Sequence, residues 1–334
     1  MTRVTYKKII VTDELVAKIN PDNIKLVQRF LKEKSINSSD ITVKNYKSDS
    51  DIFFVWNVLH NGNKKFTDIK KSEFIDFFSY ATDSNELNWG SSRANRVRSF
   101  LSSLSQYIER VLDDEYPDFQ NVVLRAVQSV PKDQRREKTI LTDEQVENLL
   151  EHLYETNPQQ ACYIALAAFS GSRFAELLRF TTENLDVNNT AFDGIFVETK
   201  STIRTKGRGK QGKLLYKYIL RDKFLPYYEK WIEERKEILS EKGLNHNYLF
   251  IKDDGTPATQ GTARSWISSI ERYMKFPVYA HAFRHYLCTL LAKKNIPQQF
   301  VVFIFGWTSA EMYNIYNDLT AKDTKWEGLE VLKL

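Results

Sequence analysis

The sequence has little of what defines several specialised protein classes. Its two cysteines, Cys162 and Cys288, exclude a disulfide framework and a zinc site built from four cysteines. Its 12 glycines and 8 prolines are too few for a collagenous or low-complexity chain. The longest apolar run, Ala161 to Phe169, is about half of the roughly 18 residues that a membrane helix needs, and the N-terminus lacks the apolar region of a signal peptide. We therefore expect a globular cytoplasmic protein without a membrane partner.

What the chain does have is an uneven distribution of positive charge. The net charge of +5 on 334 residues permits nucleic-acid binding without arguing for it. Between Thr199 and Arg221, however, there are eight basic residues and no Asp or Glu. Such a run is more often a solvated surface than a binding site, although it also fits a segment that contacts phosphates.

The chain length predicts about two domains. Four segments of the first 130 residues carry apolar positions at helical spacing: Asn23 to Lys34, Thr42 to Leu59, Ser72 to Tyr80 and Ser91 to Leu112. A polar stretch with a proline follows and predicts a linker over 131–139. We therefore expect a helical domain over 1–130 and a second domain over 140–334, with 321–334 as its C-terminal segment.

The second domain combines helices with a small β region. Thr142 and Gln145 form a capping-box pattern, and a helix is predicted to end near Gly171. A shorter helix is expected from Phe174 to Phe180. The other predictions are strands at Gly194 to Glu198, at Leu214 to Leu220 and at Tyr248 to Ile251, a basic hairpin tip between the first two strands, and helices from Gln260 onward. The predicted fold class is mainly α with a small antiparallel β-sheet or hairpin.

Two histidines four residues apart, His281 and His285, have the spacing of a zinc-protease motif. Arg284 lies within one turn of both rings, and no Glu follows the first His. A permanent cation so close raises the electrostatic cost of binding a dication, so we expect no metal here. Read alone, the pentapeptide is more often a set of exposed or helix-capping side chains.

Four short motifs follow one another in a particular order. Arg173 begins a helix, and Glu176 follows it one turn later. The pair His281-x-x-Arg284 comes about 110 residues further on, and Trp307 precedes Tyr316 by nine residues. Each motif alone is weak, because such pairs occur by chance in many helices. Their joint order, with a basic hairpin between the first and second motifs, is strong evidence.

This order resembles that of the tyrosine recombinases, the integrase family, over about Leu141 to Leu319. The resemblance implies a site-specific enzyme that cuts and rejoins duplex DNA through a 3′-phosphotyrosyl intermediate, belonging to a phage or another mobile element. It also implies that a helical core-binding domain precedes the catalytic domain and that four copies assemble on paired DNA sites. The segment 321–334 is then expected to dock either on a neighbouring copy or on its own core.

The resemblance also implies a role for each site residue. Arg173 and Arg284 match the phosphate-binding arginines, and Glu176 matches the acidic residue that orients the first arginine. Lys206 matches the general acid of the hairpin, and Tyr316 matches the nucleophile. His281 matches the motif histidine, and Trp307 stands where the family has His or Trp. A shift of hairpin register would exchange Lys206 for Lys200, Lys210 or Lys213. Read without the family, Glu176 is more often a buried helix-start partner, and Trp307 and Tyr313 are more often core or surface aromatics.

The residue types suit this chemistry on their own terms. Attack on a phosphodiester builds negative charge, and guanidiniums are rigid paired donors that stay charged at working pH. A tyrosine with an unperturbed pKa of about 10 needs a proton acceptor, a task suited to His281. No metal or cofactor is required. The basic residues that we expect to contact DNA are Lys200, Arg204, Arg208, Lys210, Lys213, Lys44, Lys47, Arg93 and Arg96.

Two rival functions share parts of this pattern. A type IB topoisomerase has the same nucleophile and phosphate clamp but reseals the strand that it cut; the two-domain length and the Phe305-Gly-Trp307 pattern favour a recombinase. A relative that binds DNA without catalysis is disfavoured because each catalytic residue type has a candidate.

Overall fold

The computed structural model describes residues 11–123, 127–129, 131, 139–205, 207 and 212–317. Those before position 132 belong to one compact unit, and those from 139 onward belong to a second. No described helix is both long enough and apolar enough to cross a membrane. We refer to the two parts as the N-terminal and C-terminal units.

The N-terminal unit is helical. Its helix starts are set by side-chain caps: Asn20 accepts from the Asp22 amide at 2.9 Å, with Pro21 in the first helical position, and Ser39 accepts from the Thr42 amide at 3.3 Å. Its elements are α1 (Asp13–Ala17), α2 (Pro21–Asn37), α3 (Asp40–His60), a short 3₁₀ turn (Phe66–Asp68), α4 (Lys71–Thr82) and α5 (Ser91–Val111). The four predicted helices correspond to α2 to α5.

Phenylalanines fill the core of this unit. The ring of Phe53 lies 5.0 Å from that of Phe77 and 5.7 Å from that of Phe74, and all three are buried. Edge-to-face and offset contacts of this kind stabilise a core beyond the area they bury. The apolar faces of α2, α3, α4 and α5 therefore meet around one aromatic centre.

The C-terminal unit surrounds one helix that is buried over most of its length. Its helices are α6 (Asp143–Thr156), α7 (Pro158–Ser170), α8 (Phe174–Leu177), α9 (Arg221–Glu241), α10 (Gln260–Met274), α11 (Ala280–Lys293), α12 (Gln298–Phe305) and α13 (Glu311–Tyr316). Helix α7 is buried from Ala161 to Ser170 and contacts α6, α9 and α11. A helix that is apolar on all sides has to lie inside the fold.

The capping box at the start of α6 is confirmed. The Gln145 amide donates to Thr142 Oγ1 at 3.2 Å, and the Thr142 amide donates to Gln145 Oε1 at 3.0 Å. The helix that begins there ends at Thr156, and Asn157 caps a new helix whose first residue is Pro158. Proline has no amide hydrogen and is favoured at the first position of a helix. The stretch 143–170 therefore forms two helices, which meet at Asn157.

The β region differs in part from the sequence prediction. Strands β1 (Thr190–Ala191), β2 (Phe196–Glu198) and β5 (Tyr218–Leu220) form an antiparallel sheet in that order, while β3 (Ile203–Thr205) pairs only with β4 (Lys213–Leu215). The predicted single strand 214–220 was therefore wrong: it divides at 216–217 between two sheets. The predicted third strand at 248–251 was also wrong, because the two end residues of this segment make only isolated bridges.

Two predicted helix bounds also need comment. Helix α8 stops at Leu177, three residues before the predicted end at Phe180. Helix α7 ends at Ser170, as expected, because Gly171 adopts a left-handed conformation with φ of 57°. This glycine turns the chain directly from α7 into the short helix α8.

Candidate active site

The turn between α7 and α8 places an arginine beside a carboxylate. Arg173 precedes α8, and Glu176 lies one turn into it. Glu176 Oε2 accepts from the backbone amide of Arg173 at 3.1 Å, and Oε1 accepts from Arg173 Nη1 at 3.0 Å. The carboxylate therefore caps the helix and fixes the guanidinium at the same time.

A lysine completes this cluster from the sheet. Lys217 Nζ lies 2.6 Å from Glu176 Oε2, and the two side chains are only 3% and 2% exposed. Burial alone would raise the pKa of the Glu176 carboxyl, but Lys217 and then Arg173 outweigh that effect and hold the pKa at about 2. The carboxylate is consequently ionised throughout the neutral range.

Helix α11 brings a second arginine to the same place. Arg284 is buried, and its Nη1 donates to the carbonyl of Gly171, two residues before Arg173. Burial, followed by the charge of Arg173, lowers the pKa of Arg284 to about 10, so the guanidinium remains charged at neutral pH. Within the described part of the chain, its buried Nε has no hydrogen-bond partner.

Three aromatic rings pack against this guanidinium. The Arg284 carbon Cζ lies 4.8 Å from the ring centre of Phe305, 5.2 Å from that of Trp307 and 5.1 Å from that of Tyr316. Contacts of this length between a cation and an aromatic face are attractive. The chain thus folds α12, the following Trp307 and α13 around one arginine.

Tyr316 lies inside this aromatic cluster. Its side chain stacks on Trp307 with ring centres 5.2 Å apart, its ring centre is 4.6 Å from that of His285, and it is 8% exposed. Tyr313, one turn earlier in α13, is partly buried at the edge of the same cluster. Of the two tyrosines, Tyr316 is the one that packs against Arg284.

His281 lies in the first turn of α11. Although it is exposed, partial loss of hydration, followed by the charges of Arg284 and Arg173, lowers its pKa below 6.5. Because this lowered pKa lies below neutrality, the imidazole is neutral at neutral pH and can accept a proton. Within the described residues, no group of three or more His, Cys, Asp or Glu side chains is placed to hold a metal.

The basic hairpin is only partly described. Lys206, Arg208 and Lys210 lie outside the described residues. Arg204 on β3 and Lys213 on β4 are exposed, and these two strands pair with each other on either side of the predicted tip, most of which lies outside the described residues. Lys200 pairs with Asp186 at 2.7 Å.

The predicted DNA-contacting residues of the N-terminal unit are mostly paired with acids. Asp49, whose side chain is fully buried, lies 2.9 Å from Arg93 and 2.7 Å from Arg96. Lys47 lies 2.5 Å from Asp51 one turn along α3. Lys44 is exposed on the same helix. These pairs reduce the positive charge that the arginines and Lys47 present to solvent.

Comparison with known proteins identifies the family of the chain. The model of a family described as the phage integrase family matches residues 139–323, the region that carries Arg173, Arg284 and Tyr316. The chain belongs to the phage integrase family. Its curated relatives include transposase B of transposon Tn554 from two Staphylococcus aureus strains, Mu50 and N315, each 23% identical over 247 residues. The match covers 70% of this chain but 36% of the relative, so the chain spans about a third of that length.

Solved members of the integrase and recombinase group have the same fold. Tn1549 transposon integrase in complex with a circular intermediate DNA aligns with a TM-score of 0.67 and 16% identity, covering 93% of this chain and 99% of that one. XerH site-specific recombinase bound to difH, in a pre-cleavage complex, aligns with a TM-score of 0.65 and 16% identity, covering 92% of this chain and 96% of that one. A lambda integrase dimer bound to a COC′ core site aligns with a TM-score of 0.62 and 18% identity, covering 92% of this chain and 81% of that one. The predicted fold class is confirmed.

Sequence reasoning missed one residue of this cluster. Lys217 was counted among the basic residues of the hairpin region, yet it is buried against Glu176 rather than exposed. The available signal was its position between Tyr216 and Tyr218 in an apolar run, where a lysine is out of place unless it has an acidic partner.

Proposed function

We propose that this protein is a site-specific DNA recombinase of a mobile element, which cuts and rejoins duplex DNA through a 3′-phosphotyrosyl intermediate. One observation supports this function above the others. The buried guanidinium of Arg284 touches the ring of Tyr316 and also bonds the Gly171 carbonyl next to Arg173, so two arginines and a tyrosine converge. That convergence suits attack on a phosphate.

In this proposal, Arg173 and Arg284 bind the non-bridging oxygens of the scissile phosphate. Negative charge grows on these oxygens during attack, and donors that are already oriented stabilise it without reorganisation. Glu176 holds the Arg173 guanidinium in place. The indole of Trp307, whose Nε1 is buried without a hydrogen-bond partner among the described residues, is a further donor to the phosphate.

Tyr316 is the proposed nucleophile and His281 its proton acceptor. The lowered pKa of His281 keeps the imidazole neutral and able to take the hydroxyl proton. Attack joins the 3′ phosphate to the Tyr316 oxygen and releases a 5′ hydroxyl. A 5′ hydroxyl from another strand then attacks the phosphotyrosine and frees the tyrosine.

Lys206 is the proposed general acid that protonates the departing 5′ oxygen. Its hairpin is tied to the arginine-bearing segment, because Arg179 donates to the carbonyl of Arg204 on β3. A duplex with a bridging 5′-phosphorothiolate tests the role, since sulfur leaves without a proton. Rescue of Lys206→Ala by this duplex supports the assignment, whereas rescue only of Lys200→Ala, Lys210→Ala or Lys213→Ala transfers the role to that neighbour.

The reaction is proposed to need no metal, because arginines, His281 and Trp307 supply the charge stabilisation. Single-turnover cleavage should therefore persist in EDTA. Loss of cleavage in chelator, with recovery only on adding Mg²⁺ or Mn²⁺, would contradict this part of the proposal.

The assembly and the partners are also proposed. The partner is double-stranded DNA, the unit over 1–130 clamps it, and four copies act on paired sites in the cytoplasm. The segment 321–334 docks on a neighbouring copy or on its own core; it lies outside the described residues. Cross-linking on paired sites, with and without this segment, tests both the fourfold assembly and the docking.

The direct test of the function is a nicked duplex taken from the flanks of the gene, from which the cut strand end diffuses away. The protein should become covalently joined to the 3′ phosphate. A topoisomerase would relax unrelated supercoiled DNA without requiring such a site, and a binding relative would bind the duplex without forming the adduct.

A further inference from the structure

The position of Lys217 is set by the switch between the two sheets. It lies between β4, which pairs with β3, and β5, which pairs with β2. Its backbone amide donates to Thr199 Oγ1 at 3.0 Å, and its carbonyl accepts from the Thr199 amide at 3.0 Å. Thr199 is itself buried, so the backbone of Lys217 is held on both sides.

The side chain of Lys217 points away from solvent to a single carboxylate. Glu176 shares its two oxygens between two cations: Oε2 lies 2.6 Å from Lys217 Nζ, and Oε1 lies 3.0 Å from Arg173 Nη1. Each oxygen therefore has its own charged donor. Without Lys217, only the backbone amide of Arg173 would hold Oε2, at 3.1 Å, and the carboxylate could meet the Arg173 guanidinium in other geometries.

An ion pair this deeply buried contributes little net stability to a fold. Taking both charges out of water costs about as much as their attraction returns, and well-packed apolar residues often do as well or better. Its presence next to Arg173 and Arg284 therefore calls for an explanation in the site's chemistry. Orientation of Arg173 supplies that explanation, because a misplaced guanidinium cannot offer paired donors to a phosphate.

We propose that Lys217 is a positioning residue for strand transfer: it fixes one oxygen of Glu176 so that the other holds Arg173 toward the scissile phosphate. This inference rests on the proposed function. Lys217 acts through Glu176 and does not touch DNA. It is therefore distinct from the exposed basic residues of the hairpin, such as Lys213.

Lys217→Met keeps the length of the side chain and removes its charge. We expect single-turnover cleavage to fall by about 10²-fold, the usual loss when one oriented donor is misplaced. DNA affinity and its salt dependence should stay within about twofold of wild type, because a buried lysine releases no counterion from DNA. Lys223→Met removes an exposed lysine that pairs with Glu147 at 3.2 Å and is the matched control, with an unchanged rate.

The pH profile separates positioning from a general loss of packing. The charged groups that act on Glu176 are Lys217 from the sheet switch, Arg173 beside it, and Arg284 and His281 from α11. We expect the wild-type rate to have one acid-side step, from His281. In Lys217→Met, the main charge that opposes the effect of burial is gone, so burial raises the pKa of Glu176. Protonation of Glu176 should then add a second step on the acid side of the rate profile.

Two further variants keep the inference testable if Lys217→Met is too unstable to assay. The double variant Lys217→Met with Glu176→Gln leaves no unpaired carboxylate at this position; it should fold, cleave slowly and lack the second acid step. Lys217→Arg keeps the charge and should cleave within about tenfold of wild type. A double variant that cleaves at the wild-type rate would overturn the inference.

The same assay distinguishes this inference from the function on which it rests. If the wild-type protein forms no covalent adduct, the proposed function fails and the role of Lys217 fails with it. If wild type forms the adduct and Lys217→Met shows the wild-type rate and pH profile, the positioning role alone is overturned. A slow Lys217→Met with a second acid step that disappears in the double variant supports it.

Discussion

Gly171 lies two residues before Arg173, and its carbonyl accepts a hydrogen bond from Arg284. Replacing Gly171 by alanine should lower the free energy of unfolding by an unusually large amount. Its φ of 57° lies in the left-handed region, where a residue with a Cβ pays roughly 1–2 kcal/mol. The added Cβ would also lie 2.7 Å from Phe305 Cε1 and 2.8 Å from Phe305 Cζ. Phe305 is buried, and its ring packs on Trp307 and Arg284, so it cannot move away freely.

Such overpacking adds typically about 1–3 kcal/mol to the backbone cost. Gly171→Ala should therefore lower the free energy of unfolding of the C-terminal unit by about 2–5 kcal/mol. Gly243 is the matched control in the same unit: its φ is 62°, and nothing lies within 4 Å of the position of an added Cβ. Gly243→Ala should cost only the backbone part, about 1–2 kcal/mol.

Urea unfolding of both variants measures this difference. The cleavage rate provides a second measure, because a displaced Phe305 ring would move Arg284. Gly171→Ala should therefore slow adduct formation by about 10²-fold, whereas Gly243→Ala should leave the rate unchanged. Equal unfolding midpoints for the two variants would refute the packing argument. An unchanged cleavage rate in Gly171→Ala would refute the link between this turn and Arg284.

Three more predictions concern single charged groups. Glu176, with its pKa at about 2 against an ordinary 4.5, adds up to about 3 kcal/mol of stability that is complete above pH 4.5 and lost as the pH falls toward 2; Glu176→Gln should flatten this part of the profile in urea unfolding. Cleavage should rise with pH through a midpoint below 6.5, the step of His281, and His281→Gln should remove that step. Asp49→Ala should destabilise the N-terminal unit by about 1–3 kcal/mol, because the buried Asp49 anchors Arg93, whereas Asp51→Ala at the surface should cost less than about 1 kcal/mol, both measured by thermal unfolding.

The features that could be read from the sequence are those set by neighbouring residues. Helices α2 to α5 were predicted from apolar spacing, and the capping box at Thr142 was predicted from two residues three positions apart. Both signals depend on hydrogen bonds and contacts within one or two turns. The order of the site motifs was readable for the same reason, because the residues of each motif are at most nine positions apart.

The features that could not be read depend on partners far along the chain. The run 214–220 has no turn residue inside it, yet it divides because β4 pairs back to β3 while β5 pairs with β2. The bond from Lys217 to Glu176 spans 41 positions, and that from Arg284 to Gly171 spans 113. Periodicity carries no information about such pairs, so the partner of Lys217 became visible only in the fold.

The central claim, that Tyr316 is the nucleophile, is tested most directly by locating the DNA on the protein. The covalent complex formed on a nicked duplex is digested with protease and nuclease, and the residue that carries the 3′-phosphate is identified by mass spectrometry. We predict the modification on Tyr316, and no adduct in Tyr316→Phe although that variant still binds the duplex. A modification on Tyr313, or a normal adduct yield in Tyr316→Phe, would contradict the account.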